Sequence, residues 1–417
     1  MAHTRGRLRL SRRGWAIFVG AFTAVVIAYA AGYREALYLA SFAAALLAAS
    51  ILVSVLRRPR LAVVRRFGPP VATAGAPVAV EIDARNTGWT PSGGAEGADQ
   101  VAWSTAPGPV IPIPPIAPRR ATRLRYTIRA PHRGIFAVGP LVVDYEDPFG
   151  LVRTTLRVGS GDRLIVAPPL VRLPTTGGAL TRAEGESTVI QRRASGSFDD
   201  LITREYRPGD ALRRVHWKAS ARRGDLMVRQ EEPRSHPEVR LVLDTRRAAY
   251  DDVAFGPMLG PSESESFEWA IRMTGSMAAH LSDQGFRVTI LESAGAQLIA
   301  PVEGMTDATR DGAFLESLAA AELLDAREPE GRPQHWMDHP APVLAVVADS
   351  STRMVRWMSD LRSGRDRATA FVLPSAGRST RERLEAAGWL CVSVDPASDP
   401  VEAWSLAVRQ GEPLRVR

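Results

Sequence analysis

The sequence predicts a chain of three parts: a pair of membrane-spanning helices, an antiparallel β domain, and an α/β domain built on a mostly parallel sheet. Three observations carry this prediction. Two long stretches near the N-terminus contain no charged residue, the region after them alternates apolar and polar residues, and the C-terminal half alternates short apolar runs with stretches of helical spacing. The length of 417 residues suits two to three domains at about 150 residues each. With 45% hydrophobic and 24% charged residues, the chain is neither disordered nor collagen-like. The parts are bounded as a basic N-terminus at 1–13, a helical hairpin at 14–57, a β-sandwich at 58–170, a linker at 171–199, and the α/β domain with its opening motif block at 200–417.

Residues 15–33 and 36–56 are the uncharged stretches, 19 and 21 positions long. At about 1.5 Å per residue, each helix reaches across a hydrocarbon core of about 30 Å. Arg34 and Glu35 leave room only for a tight turn. Five arginines lie within residues 1–13, and five follow the second stretch at Arg57, Arg58, Arg60, Arg65 and Arg66, whereas the turn has one. Basic flanks stay inside, so both ends and the soluble region are expected in the cytoplasm of a multi-pass inner or plasma membrane protein. Trp15, Tyr33 and Tyr38 fall where aromatic belts form. A cleaved leader is the competing reading, from Ala28-Tyr29-Ala30 and Ser11-Arg12-Arg13. The first apolar run is too long for one, and a second span follows directly.

The net charge of +8 resides in these flanks. Arg34 and Glu35 cancel, and removing the ten flanking arginines leaves residues 67–417 at −2. Charge that brackets a hairpin rather than coating a fold argues against a general nucleic-acid binder. The one cysteine, Cys391, excludes a disulfide framework and a CxxC zinc site. It lies in the apolar run 389–394 and reads as a core residue, and an unpaired thiol suits a reducing compartment.

From 61 to 167 the period is two. Val78, Val80, Ile82 and Ala84 alternate with Ala79, Glu81, Asp83 and Arg85, and Leu124, Tyr126 and Ile128 alternate with arginines and a threonine. Half-buried strands follow from this, with one face on a core and the other in water. Gly and Pro clusters at 86–97 and 106–118 break them into about seven short strands. No catalytic constellation falls among them.

In the C-terminal half, strands are predicted at 239–243, 288–291, 343–348, 370–373 and 390–394. Helices are predicted at 267–281, 311–324, 351–362, 379–387 and 400–410. Such alternation implies a parallel sheet covered on both faces, with ligands beyond the carboxyl ends of the strands. Asp244 and Asp349 stand at two such ends.

Between the linker and this domain lies the most ordered motif. It reads Arg204-Glu205-Tyr206, a Pro208-Gly209-Asp210 turn that Asp210 extends as a cap for a short helix through His216, then Arg214-Val215-His216-Trp217-Lys218 and Ser220-Ala221-Arg222. Residues 201–230 hold eight bases against three acids, and Lys218 is the sole lysine among 53 basic residues. This block, with Leu226, Val228, Glu231 and Glu232 after it and Arg133-Gly134 through Asp147-Pro148-Phe149-Gly150-Leu151 before it, closely resembles the domain-of-unknown-function family fifty-eight. The resemblance covers nearly the whole chain. It implies a von Willebrand factor A-like, Rossmann-type domain. It also implies association with a MoxR-type AAA+ ATPase and a transglutaminase-like membrane protein.

One departure bears on cofactors. Von Willebrand A domains hold a divalent cation on a D-x-S-x-S loop, whose carboxylate and hydroxyls are hard oxygen ligands. Here the loop reads Asp244-Thr245-Arg246-Arg247-Ala248, both serines are gone, and Arg246 is expected to pair with Asp244 or Asp349. No cofactor is therefore expected.

Catalytic signatures are weak. No P-loop and no G-x-S-x-G elbow is present, and His335-Trp336-Met337-Asp338-His339 lacks the glutamate of a zincin helix and sits between prolines. His216 with Ser220 offers a base and a nucleophile for an envelope-biogenesis hydrolase. The 201–230 patch offers RNA binding, with only Tyr206 and Trp217 as stacking rings. The preferred reading is a membrane-anchored cytoplasmic adaptor without catalysis, nucleic acid or small-molecule substrate. Arg204, Glu205 and Asp210 are assigned to internal ion pairing, and Lys218 and Arg222 to a partner surface.

Overall fold

The computed structural model describes residues 7–56, 59–175, 203–206, 215, 217–229, 237–253, 264–302, 311–327, 329, 341–348, 351–361 and 367–411. The chain divides into two compact units, one running to Pro169 and the other starting at Leu170.

The first unit contains two helices, α1 (Arg12–Ala31) and α2 (Arg34–Leu56), both long and apolar enough to cross a membrane. They pack against each other across a turn in which Gly32 takes a left-handed φ of 71°. Phe18, Phe22, Tyr29 and Phe42 are exposed around them.

Ten strands make up the rest of this unit: β1 (Arg7–Leu10), β2 (Leu61–Gly68), β3 (Val71–Thr73), β4 (Pro77–Asn86), β5 (Ala95–Val101), β6 (Ile111–Ile113), β7 (Ala121–Arg129), β8 (Gly134–Glu146), β9 (Val152–Val158) and β10 (Asp162–Ala167). β2, β4 and β7 form a three-stranded antiparallel sheet. A seven-stranded sheet runs β1-β9-β8-β10-β3, with β5 on β8 and β6 on β5; only β3 and β10 pair in parallel. Val80 and Ile82 of β4 meet Leu141 and Val143 of β8 and Leu164 of β10 in one buried core.

Three features add to the sequence reading. Within the basic N-terminus, Arg7–Leu10 is an edge strand that pairs antiparallel with β9, Leu10 opposite Val152. A four-residue edge strand with exposed side chains on both faces leaves no alternation to read. Arg65, counted among the membrane-flanking charges, lies on the core face of β2 with its side chain fully buried. Its guanidinium donates to Asp99 through Nε (3.0 Å) and Nη2 (2.6 Å), and to Asp162 (2.8 Å) and the Ser160 carbonyl (3.0 Å) through Nη1. The Tyr126 hydroxyl donates to the same Asp99, and burial, reinforced by that carboxylate, holds the phenol protonated well above its usual range. Arg65 thus ties β2 of one sheet to β5 and β10 of the other.

The third feature is the Asp147–Leu151 loop. Asp147 accepts from the amides of Phe149 (3.0 Å), Leu151 (2.7 Å) and Val152 (2.6 Å), which closes a tight turn with Gly150 at a φ of 67°. The turn is docked on the start of α1. Ser11 donates its hydroxyl to the Gly150 carbonyl (2.6 Å) and its amide to the Leu151 carbonyl (2.8 Å), while its oxygen caps α1 through the Gly14 amide (3.0 Å). A Cβ on Gly14 would stand 2.2 Å from the Leu151 oxygen, so the approach needs glycine. Leu151 and Val152 then pack on Leu10, Ile17 and Leu47.

The second unit opens with residues 170–175, part of the segment read as a linker. They are irregular but fastened: the Val171 amide donates to Ser276, and the Trp404 indole donates to the Pro174 carbonyl. A short antiparallel ribbon, β11 (Thr203–Glu205) with β12 (Met227–Arg229), carries helix α3 (Trp217–Arg223). Then come β13 (Glu238–Leu243), α4 (Glu265–Asp283), β14 (Arg287–Glu292), α5 (Gly312–Ala320), β15 (Val343–Val347), α6 (Thr352–Asp360), β16 (Ala368–Val372), α7 (Gly377–Ala386), β17 (Leu390–Ser393) and α8 (Pro400–Gly411). The five strands are all parallel, in the order β14-β13-β15-β16-β17. Leu241, Leu243 and Val346 face Phe267, Met277, Phe314 and Trp404 on one side, and Val242, Ala345 and Val347 face Met354, Trp357 and Leu384 on the other. Cys391 belongs to the second layer, where burial pushes its thiol up to about 12.

The Arg65 cluster yields a stability prediction. Asp99→Ala leaves a buried guanidinium with half its acceptors and should cost about 3–5 kcal/mol, read as a lower melting temperature. Asp83→Ala, at the exposed pairs with Arg66 and Arg123, should leave melting almost unchanged.

Candidate functional site

Two places are candidate sites: the carboxyl end of β13 and the motif block. The strand order places the topological switch between β13 and β15, where ligands of doubly wound sheets bind. Asp244 follows β13 there, fully buried. Its Oδ1 accepts from the Arg246 amide (3.1 Å), from Arg246 Nε (3.0 Å) and from the Ser293 hydroxyl (2.5 Å), and its Oδ2 accepts from Arg246 Nη2 (2.6 Å). Four donors thus converge on this carboxylate, three of them on Oδ1.

The backbone around Asp244 is held as firmly. Tyr250 donates to the Asp244 carbonyl (2.7 Å), and the Thr245 amide donates to Ser293 (3.1 Å). Leu324 bridges the loop, giving its amide to the Thr245 carbonyl (2.9 Å) and accepting the Arg247 amide (2.9 Å). Arg246 is itself buried. Asp349, the other strand-end carboxylate, lies outside the described residues. Among the described residues, no cluster of three or more His, Cys, Asp or Glu could hold a metal ion.

The sequence anticipated Arg246 on Asp244. It did not single out Ser293, although a serine directly after the apolar run of β14, the neighbour of β13, was the available signal.

In the motif block, Arg204 and Glu205 belong to β11, paired with Val228 and Met227 of β12. Tyr206 is half-buried and donates its amide to the Leu226 carbonyl (2.8 Å). A short helix lies at Trp217–Arg223; the helix expected from Asp210 to His216 lies, Val215 apart, outside the described residues. Gly209, Asp210, Arg214 and His216 fall outside the described residues, as do the side chains of Arg204, Glu205 and Lys218 and the pair His335 and His339. Ser220 accepts the Met227 amide (2.8 Å), and Met227 is buried, so this hydroxyl fastens α3 to β12. Trp217 is 69% exposed and Leu226 44%, and Arg222 and Arg223 are exposed beside them. An open cleft of about 630 Å³ in the first unit, lined by Glu96, Gln100, Val110 and Asp144 among others, contains none of these residues.

The Asp244–Arg246 pair predicts a thermal response. Millimolar Mg²⁺ or Mn²⁺ should leave the melting temperature of the chain unmoved, since a ligand bound to the native state would raise it. Arg246→Ala strands a buried charge and should cost about 3–5 kcal/mol. A saturable rise with Mg²⁺ that Asp244→Ala abolishes would contradict this reading.

Comparison with known proteins adds a family and little else. A search of the curated proteins found no match. Among solved structures, the chain is similar to the CARDB domain of the PF1109 protein from Pyrococcus furiosus, at 13% identity over 26% of this chain and 88% of that one, with a TM-score of 0.20. It is also similar to the sporulation control protein Spo0M from Bacillus subtilis, at 12% identity over 35% and 57%, TM-score 0.17. A third is a family two carbohydrate esterase from Clostridium thermocellum, at 9% identity over 81% and 91%, TM-score 0.20. At such scores, none of the three carries an argument about fold or activity. The family model described as "Protein of unknown function DUF58" matches residues 202–333, the span from β11 past α5 that holds both the motif block and the Asp244 loop. Over that span, and not over the rest of the chain, the sequence is similar to that family.

Proposed function

We propose that this protein is a membrane-anchored adaptor. Its two helices span an inner or plasma membrane, both soluble units lie in the cytoplasm, and the motif block is offered to a partner protein. In this reading, the two sheets of the first unit form a β-sandwich. The parallel sheet is a von Willebrand A-like domain whose cation position is taken by Arg246. The partner is an AAA+ ATPase of the MoxR type, as the family resemblance implies, with a transglutaminase-like membrane protein as a second associate. No cofactor, nucleic acid or small-molecule substrate is assigned to it.

The observation that carries the reading is the surface of α3. Ser220 and the β12 backbone hold the helix in place, while an indole, a leucine and two guanidinium groups point to water. Tryptophan and arginine are the residues that dominate protein interfaces, and clustered like charge steers encounter with an acidic surface. A hydrolytic reading draws less support, because Ser220 spends its oxygen on the Met227 amide. Arg222→Glu should leave the melting temperature unchanged and abolish recovery of the ATPase with the detergent-solubilised protein. Unchanged recovery from a normally melting Arg222→Glu preparation would contradict the adaptor surface.

A further inference from the structure

We infer that the end of the β domain nearest the helices rests on the bilayer and binds anionic lipid headgroups. This inference rests on the reading that α1 and α2 span the membrane. The strands define that end without ambiguity. Leu10 of β1 runs directly into Ser11 and α1, and Arg60 lies four residues after the end of α2. Register then collects at the same end Leu61 opposite Asn86, Arg85 opposite Ala121, Ala95 opposite both Ile113 and Tyr145, and Glu146 opposite Arg153. The loops 87–94, 114–120 and 147–151 therefore lie together beside the helix ends.

Depth is set by packing. Ile17, five residues and about 7–8 Å into α1, packs against the small apolar cluster of Leu47, Leu151 and Val152. The headgroup region on each side of the hydrocarbon is about 5–8 Å thick. The Asp147–Leu151 turn is thus held within that layer, and Phe149 at its tip is 51% exposed. The second loop is tied to the exit of α2, because Thr87 donates both its amide (2.7 Å) and its hydroxyl (2.9 Å) to the Arg60 carbonyl. Two residues on, Trp89 is 76% exposed, with the Arg119 guanidinium 4.0 Å over its ring.

Exposed aromatic rings at this level are interfacial anchors. The exposed charge around them is mostly positive, with Glu96 and Glu146 as the exposed acids near that end. Arg12, Arg13, Arg60, Arg119 and Arg120 are exposed, whereas Asp147 is spent on backbone amides and Glu146 is paired with Arg153 at 2.5 Å. A cationic rim around inserted rings matches an anionic leaflet.

The test uses the full chain in phosphatidylglycerol-containing liposomes, with a nitroxide on Phe149→Cys or Trp89→Cys; native Cys391 is buried. Controls are Phe22→Cys in the middle of α1 and Arg129→Cys at the far end of β7, opposite Pro77. Labels at 149 and 89 should lose most of their collisions with a water-soluble nickel reagent and gain collisions with oxygen, whereas the label at 129 should not. The protection at 89 should weaken in liposomes of phosphatidylcholine alone. If 22 is protected while 149 and 89 are as water-accessible as 129, the helices span but the lipid-facing end is wrong. If 22 is water-accessible as well, the membrane reading fails and takes this inference with it. Equal protection of 89 in both lipids would overturn the anionic preference.

Discussion

The first unit depends on one polar junction, the Asp147–Leu151 turn held against the start of α1. Asp147 closes the turn, Ser11 takes two of its carbonyls, and Gly14 permits the contact. Because Ser11 also caps α1, the same residue starts the apolar helix and fixes it to β9. The adjoining strand β1 extends the tie into the seven-stranded sheet. A domain joined to its anchor by a single free linker would be able to reorient. Here the chain enters and leaves the helix pair through the sheets themselves, by β1 before it and β2 after it. The upstream element that resembles the family pattern therefore has a mechanical role: it fixes the β domain to the helix pair.

In the second unit, a similar economy operates at the strand end. The fold presents a buried carboxylate at the switch point of a parallel sheet, a place suited to ligands. The carboxylate is already satisfied within its own loop, by Arg246 and by Ser293 of the neighbouring strand's end. The Arg246 guanidinium brings to that carboxylate a positive charge fixed to the chain. In the proposed reading, the partner meets the exposed α3 surface rather than the sheet's crevice.

Much of this was legible in the residues. Apolar runs without charge marked the helices, alternation marked β4 and β7, and the strand and helix spacing of 239–410 follows the observed order of five strands and five helices. The Asp244–Arg246 pair was legible because it is local, two residues apart. What escaped were contacts made across long sequence separation. Arg65 counted as a flanking charge because its partner Asp99 is 34 residues away, although an arginine between Val63 and Phe67 on a core-facing alternation was a visible anomaly. Strand β1 escaped because an edge strand exposed on both faces has no pattern. Ser11 on Gly150 spans 139 residues, and no local periodicity reports such a contact. The motif block stayed ambiguous for a different reason: charged residues in a run look the same whether they pair internally or face a partner.

The helix pair and the β domain are one rigid piece, joined through β1. Cysteine pairing in native membranes tests this directly. Arg9 and Arg153 stand opposite each other in the β1–β9 register, and antiparallel partners have Cα atoms about 4.5–5.5 Å apart, within disulfide reach. Arg9→Cys with Arg153→Cys should therefore cross-link efficiently on mild oxidation, and Arg9→Cys with Arg157→Cys, at the far end of β9, should not. Cross-linking that is absent from the first pair, or equal in both, would mean that the N-terminal segment is free of the sheet and that the domain is not fixed to its anchor.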